Sequence, residues 1–198
     1  NFNSHSNSSG YSLNMFEQDF ETKETSIMWE TINPQRVKFI NENSEKFLRI
    51  EIPRNQAGTQ TTGTQFQIDI PNTNEAVLNY SIRLPDSFAP DLKGGKVLGL
   101  VGGTSNPLKP HHGVTGGTGA DGFNGFSVRT NWWRTSGEAR FVSYIYHPES
   151  TRAPYGQEYF WQNADGSFIN VEDLQGQWRN ISIYVKMNTP GMKDGKVK

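Results

Sequence analysis

Apolar and polar residues alternate along most of this chain, and no sustained 3.6-residue periodicity of an amphipathic helix appears. VKFINENSEKFLRIEIP sets two alternating runs around the polar NENSE, which predicts a hairpin with Phe47, Ile50 and Ile52 facing inward. GTQTTGTQFQIDIP places Phe66, Ile68 and Ile70 at every second position, a half-buried strand that Pro71 ends. In AVLNYSIRLP, Leu78, Tyr80, Ile82 and Leu84 share one face, and Asn79, Ser81 and Arg83 share the wet one. GFSVRTNWW and ARFVSYIYH form two more strands joined by the polar turn RTSGE. RNISIYVKMN is the last clear strand, with Ile181, Ile183, Val185 and Met187 inward. YSLNMFEQDF and TSIMWETI read as shorter strand-like runs.

Loops and turns fill the rest. NFNSHSNSSG offers little to bury and reads as a flexible lead-in over residues 1–10. FAPDLKGGKVLGLVGG and PLKPHHGVTGGTGADG hold many of the 20 glycines, and they predict a long loop whose backbone turns tightly or approaches a ligand closely. ESTRAPYGQEYFWQNADGS is an aromatic-rich loop, and NVEDLQGQW begins with a turn of helix. There is no fixed-period repeat. Many short strands between Gly, Pro and Asn turns predict an all-β fold, an antiparallel jelly roll or sandwich. One sheet of such a fold commonly bends into a concave groove for an extended polymer. The 198 residues fit one domain spanning 1–198, and 12 Phe, 7 Tyr and 5 Trp supply core surface despite 33% hydrophobic content.

Charge and cysteine content narrow the function. A net charge of −1 gives no global field for nucleic acid or an anionic membrane. Lys93, Lys96, Lys109, Arg129, Arg134 and Arg140 nevertheless face only Asp121 and Glu138 in the same stretch, a local cationic patch. The absence of cysteine removes disulfides and thiolate metal sites. No apolar run approaches the roughly 18 residues of a membrane span. The polar start at Asn1 suggests the mature end of a secreted protein, with a trimmed boundary as the alternative.

The densest candidate chemistry lies between residues 91 and 147. Alternation puts Ser127 with Arg129, and Tyr144 with Tyr146, so two adjacent strands can present all four on one surface, beside Lys96 from the glycine-rich loop. Taken alone, Ser-x-Arg reads as a solvated face, Tyr-x-Tyr as cross-strand packing and Lys96 as a surface lysine. Other constellations compete. Glu17, Asp19 and Glu21 at alternate positions resemble the Glu-x-Asp-x-Glu strand of jelly-roll retaining glycoside hydrolases, although a solvent-facing charged edge strand explains them better. His111-His112 would point apart on an extended chain, and alternation turns His147 away from Tyr146. No spacing demands a metal, though the Gly/Asp-rich loops have room for a structural calcium. Trp132, Trp133, Tyr155, Tyr159, Phe160 and Trp161 read as sugar-stacking groups or as sandwich core, which keeps a non-catalytic carbohydrate-binding module open.

The ordered set resembles the jelly-roll polysaccharide lyases, most closely family 14, which includes alginate lyases, with the glucuronan lyases of family 20 a related match. The residues that carry the resemblance are Lys93-Gly94-Gly95-Lys96-Val97-Leu98-Gly99-Leu100 with Gly102-Gly103, then Phe126-Ser127-Val128-Arg129, Tyr144-Ile145-Tyr146 and the turn from Asn188 to Gly195. It covers roughly residues 77–195. Val97-Leu98 stands where the family usually has Leu-Pro, and the family continues past the last turn into further strand, so C-terminal strands are expected to be missing or replaced.

The resemblance implies β-elimination on a uronic-acid polymer, alginate with mannuronate preference or glucuronan, with no organic cofactor and a monomeric enzyme. Three tasks must be filled: neutralise a carboxylate, remove the adjacent C5 proton and protonate the leaving oxygen. By resemblance Arg129 takes the first, and Lys96 and Tyr146 share the proton transfers, with Lys96 preferred as base. Ser127 and Tyr144 orient the sugar, and Arg83 is a further subsite residue. A guanidinium suits a carboxylate because it grips bidentately and stays charged. Ordinary pKa values of about 10.4 for Lys and about 10 for Tyr require a downward shift for a base at neutral pH, and cationic neighbours supply that direction. An alkaline-leaning optimum follows.

Overall fold

A computed structural model describes residues 4–21, 32–56, 61–88, 94–103, 113–114 and 117–198. Of these, the residues up to Pro71 form one compact unit and those from Asn72 onward form another. TSIMWETI lies almost wholly outside the described residues, as do Lys93, Lys109 and His111-His112.

In the first unit, helix α1 (Leu13–Asp19) precedes a hairpin of β1 (Val37–Glu42) and β2 (Glu45–Ile50). Asn43 and Ser44, at φ 52° and 66°, form the two-residue turn whose twist matches paired strands. The lead-in is hydrogen-bonded rather than loose: Ser8 N–H donates to the Phe39 carbonyl and Tyr11 N–H to that of Val37, both at 2.7 Å. Tyr11, Phe16, Val37 and Phe39 form the buried centre, with Leu48 and Phe66 packed against it. The strand expected over YSLNMFEQDF is a helix because Leu13, Phe16 and Phe20 recur at helical spacing and the Ser12 hydroxyl caps it by accepting from Met15 N–H at 3.3 Å. Two positions apart on a helix is nearly opposite, so Glu17 and Asp19 do not share a face. Asp19 instead pairs with His5 at 3.0 Å. The hydrolase arrangement of Glu17, Asp19 and Glu21 is thereby excluded.

The second unit is a β-sandwich. One sheet has the order β3 (Glu75–Ile82), β8 (Arg179–Lys186), β9 (Lys196–Val197). The other runs β4 (Gly94–Gly102), β5 (Phe126–Thr135), β6 (Glu138–Tyr146), β7 (Gln157–Phe160), and every named pairing is antiparallel. Leu78, Tyr80, Ile82, Ile181, Ile183 and Val185 of the first sheet pack against Leu100, Phe126, Val128 and Ile145 of the second. The Tyr80 hydroxyl bonds Thr130 Oγ1 at 3.0 Å between the sheets. A second cluster, Leu84, Trp132, Ala139, Phe141 and Val171, extends the same core. A single 3₁₀ turn, Glu172–Leu174, stands where NVEDLQGQW promised a turn of helix.

Several local expectations change. The glycine-rich stretch around Lys96 is a strand, not a loop, and β7 emerges within the aromatic-rich segment. Phe47 and Ile50 are an odd number of residues apart and cannot share a strand face; Leu48 packs on the core, while Ile50, on the same face at the end of β2, and Ile52 beyond it are 45% and 39% exposed. No ladder forms over the described residues 61–72, where Ile70 is 54% exposed: alternation without a partner strand does not make a sheet. Met187, one residue past β8, is exposed at 40%.

The turn after β8 is fastened by Asp194, which accepts from Thr189 N–H at 2.7 Å, Thr189 Oγ1 at 2.9 Å and Lys186 Nζ at 3.1 Å. The backbone N–H of Thr189 leads these donors in holding its carboxyl down at about 2. A depressed carboxylate stabilises fully above its unfolded pKa of about 3.9 and loses that contribution as pH falls through the folded value. Amide exchange at Lys196–Lys198 should therefore accelerate between about pH 4 and 2, and Asp194→Asn should show the faster exchange already at neutral pH. A second expectation concerns the core: Phe141→Ala should destabilise by about 3–5 kcal/mol in urea unfolding, because Phe141 is fully buried against Trp161.

Candidate active site

Pairing between β5 and β6 sets the site. Ser127 stands opposite Tyr146, Arg129 opposite Tyr144 and Asn131 opposite Val142, and on the other side Lys96 of β4 stands opposite Asn131. Val128, Thr130 and Trp132 point into the sandwich, so Ser127, Arg129, Asn131 and Trp133 share the outer face of β5, and Arg140, Val142, Tyr144 and Tyr146 that of β6. Between Lys96 and Gly99 the register shifts, two residues of β4 facing one of β5. This bulge lets Val97 and Leu100 both turn inward while Lys96 stays on the outer face. Gly99 is required there, since a Cβ would lie 2.3 Å from the Val128 carbonyl and 2.7 Å from Arg129 Cα.

Arg129 lies 5.8 Å from the Tyr144 ring and 5.6 Å from the Tyr146 ring, measured from its guanidinium carbon. It also hydrogen-bonds Tyr146. Burial lowers its pKa, and the two phenols act in the opposite direction. The tyrosine rings meet edge to face at 5.4 Å and 89°. Each phenol oxygen accepts a backbone N–H, Tyr146 from Gly117 at 3.3 Å and Tyr144 from Gly156 at 3.2 Å. Gly156 runs so close that a Cβ would be 2.9 Å from the Tyr146 ring and 3.0 Å from that of Tyr144. Burial first, then the hydrogen bond and charge of Tyr146, push Tyr144 up to about 12, so it remains a neutral phenol. Lys96 reaches solvent, yet partial burial and then the Arg129 charge lower its pKa, with Tyr146 opposing. The direction is what a base needs, since a neutral amine becomes available at lower pH.

The sequence-derived residues therefore divide. Lys96, Arg129, Tyr144 and Tyr146 come together on one face. Ser127 is on that face but wholly buried, its hydroxyl donating to the Val114 carbonyl at 2.7 Å, so it ties the chain behind the site instead of touching a sugar. Arg83 does not join them: it belongs to the other sheet's strand end and lies 5.3 Å over the Trp178 ring. His147 turns away to hydrogen-bond Tyr159 at 3.0 Å. Of the aromatic residues, Trp132 and Trp161 pack in the core, whereas Trp133 and Tyr155 line an open depression. Among the described residues no three His, Cys, Asp or Glu side chains gather around a metal position.

Asn131 was missed. It is fully buried, and among the described residues neither of its amide atoms, nor Arg129 Nε or Trp133 Nε1 on the same face, has a hydrogen-bond partner. A buried unsatisfied group costs about 1–3 kcal/mol, so this row of polar atoms sets the face apart. Extending the Ser127-x-Arg129 alternation by two and four residues would have found both Asn131 and Trp133.

Residues 40–198 match the model of the family described as Polysaccharide lyase 14. The chain belongs to polysaccharide lyase family 14. This lyase also resembles a solved structure of an alginate lyase, Aly36B, a mutant with one lysine and one tyrosine replaced by alanine, in complex with alginate tetrasaccharide. The two superpose with a TM-score of 0.72 at 24% identity, over 100% of this chain and 71% of that one, which shows a shared fold. No curated protein sequence matches the lyase.

The electrostatic order within the site is testable by titrating Lys96 as its ¹³C-dimethylated amine by NMR. Arg129→Gln should raise the Lys96 pKa toward the ordinary value of about 10.4, and Tyr146→Phe should lower it further. An unmoved Lys96 resonance in both variants would show that burial alone sets its pKa.

Proposed function

We propose that this lyase cleaves a 1,4-linked uronic-acid polymer, alginate in the first instance, by β-elimination. Arg129 pairs with the uronate carboxylate and draws charge from the ring, which acidifies the neighbouring C5–H. Lys96, as the neutral amine, takes the C5 proton. The C5–H electron pair becomes the C4–C5 double bond, and the C4–O4 bond breaks with its electrons on O4. The Tyr146 hydroxyl gives its proton to that oxygen, so water is not consumed and the products are one saturated end and one unsaturated uronate end. Tyr144, held neutral, orients the sugar as a hydrogen-bond donor. Asn131 stands beside both Lys96 and Arg129 to complete the binding face.

The observation that supports this reading is the convergence of a lysine of lowered pKa, a buried guanidinium and two tyrosines on one sheet face, in a chain of this family. Alginate is put first because the structurally similar Aly36B is described with an alginate tetrasaccharide bound.

The test is an ultraviolet time course on alginate, polymannuronate and glucuronan. Wild type should generate the absorbance of the conjugated unsaturated uronate on at least one of them. Lys96→Ala should lower kcat by roughly 10²–10⁴-fold, the usual contribution of a positioned general base. New reducing ends without that absorbance would mean hydrolysis and would overturn the elimination.

A further inference from the structure

We infer that the depression beside Tyr144 is a second sugar subsite, which holds the uronate adjacent to the one cleaved by its carboxylate; this rests on the uronate-lyase reading above. The depression encloses about 280 Å³ and is lined by Trp133, Tyr144, Arg152, Tyr155, Gly156 and Glu158. That lies just under the roughly 300–1,000 Å³ of pockets for drug-sized ligands, room for one pyranose. Tyr144 belongs both to this wall and to the Arg129 cluster, so the two spaces adjoin through a single side chain. A polymer whose uronate pairs with Arg129 can place its next residue in this recess.

The lining supplies what an anionic sugar requires. Trp133 stands 5.8 Å from Tyr144 at 82° and gives the depression a second aromatic wall. Tyr155, 60% exposed, offers a ring face on which a pyranose can lie. Arg152 is a cation with donors to spare: its Nη1 bonds the Glu158 carboxylate, its side chain is 60% exposed, and Nε and Nη2 have no partner among the described residues. Glu158 is fixed by β7 opposite Tyr144, so its carboxylate holds the exposed guanidinium beside the depression. A guanidinium gripped on one edge still presents a second edge to a carboxylate. The acid therefore aims the arginine without occupying all of it.

Steady-state kinetics on defined oligomers of the polyuronate that wild type cuts, from trimer to hexamer, test the assignment. Wild type should show KM falling with length as the second subsite fills. Arg152→Ala should raise KM about tenfold on the longer oligomers, with kcat within twofold, and should erase the length dependence. Arg152→Lys should fall between, because an ammonium replaces a two-pronged contact by a point charge. Tyr155→Ala should raise KM several-fold. Both side chains are solvent-exposed, and unchanged melting temperatures would separate binding from folding. Should wild type cut oligomers with KM unaltered in Arg152→Ala at every length, the subsite is overturned while the lyase reading stands. Should wild type eliminate none of the polyuronates, the lyase reading fails and takes the subsite with it.

Discussion

Everything at the site depends on one register, that which sets Arg129 against Tyr144 and Ser127 against Tyr146. Because side chains on a strand alternate, a slip of one residue would bury the guanidinium in the sandwich and turn Val128 outward. Three features resist it. The β5–β6 connection is a two-residue turn at Ser136-Gly137, with φ of 54° and 90°, which leaves no slack. Val128, Phe141 and Ile145 fill the core from the opposite faces of the same strands. Thr130 is pinned to Tyr80 across the sandwich. The chemistry is thus fixed by ordinary packing on the side of the sheet that faces away from it.

The same frame explains how a guanidinium can sit in a half-buried place and remain attractive to an anion. Arg129 makes no ion pair among the described residues; its neighbours are phenol rings and a phenol oxygen. A carboxylate partner would have offset its desolvation but lowered the positive potential it presents. Aromatic faces and hydroxyl dipoles stabilise the charge without cancelling it. Its influence then reaches Lys96, where it acts in the same direction as burial.

Much of this was legible in the amino-acid order, and the misses have physical causes. Period-two alternation located β3, β5, β6 and β8 because each has a partner strand and one face in a core. The same alternation misled at Phe66, Ile68 and Ile70, where no partner strand exists among the described residues, and at α1, where the spacing of Leu13, Phe16 and Phe20 fits a helix once Ser12 caps it. Glycine content suggested a loop at Lys96, yet there glycine serves close approach within a strand: Gly94 and Gly95 lie against the rings of Trp133 and Trp132. The cluster of Lys96, Arg129, Tyr144 and Tyr146 was readable from ordered motifs. The burial of Ser127 and the unpaired amide of Asn131 were not, because both depend on what covers the strand. Arg83 was misplaced because a wet face on one sheet says nothing about which sheet carries the site.

Both tyrosine oxygens accept peptide N–H groups, from Gly117 and Gly156. Main-chain donors survive nearly every point mutation. The segments around the tyrosines can therefore drift in sequence, exchanging whatever meets the polymer, while the phenols keep their aim. Such separation lets one catalytic arrangement be inherited unchanged by descendants that diverge in the saccharides they accept. It also marks the residues flanking those two glycines, and not the strands, as the place to diversify when a lyase of altered preference is wanted.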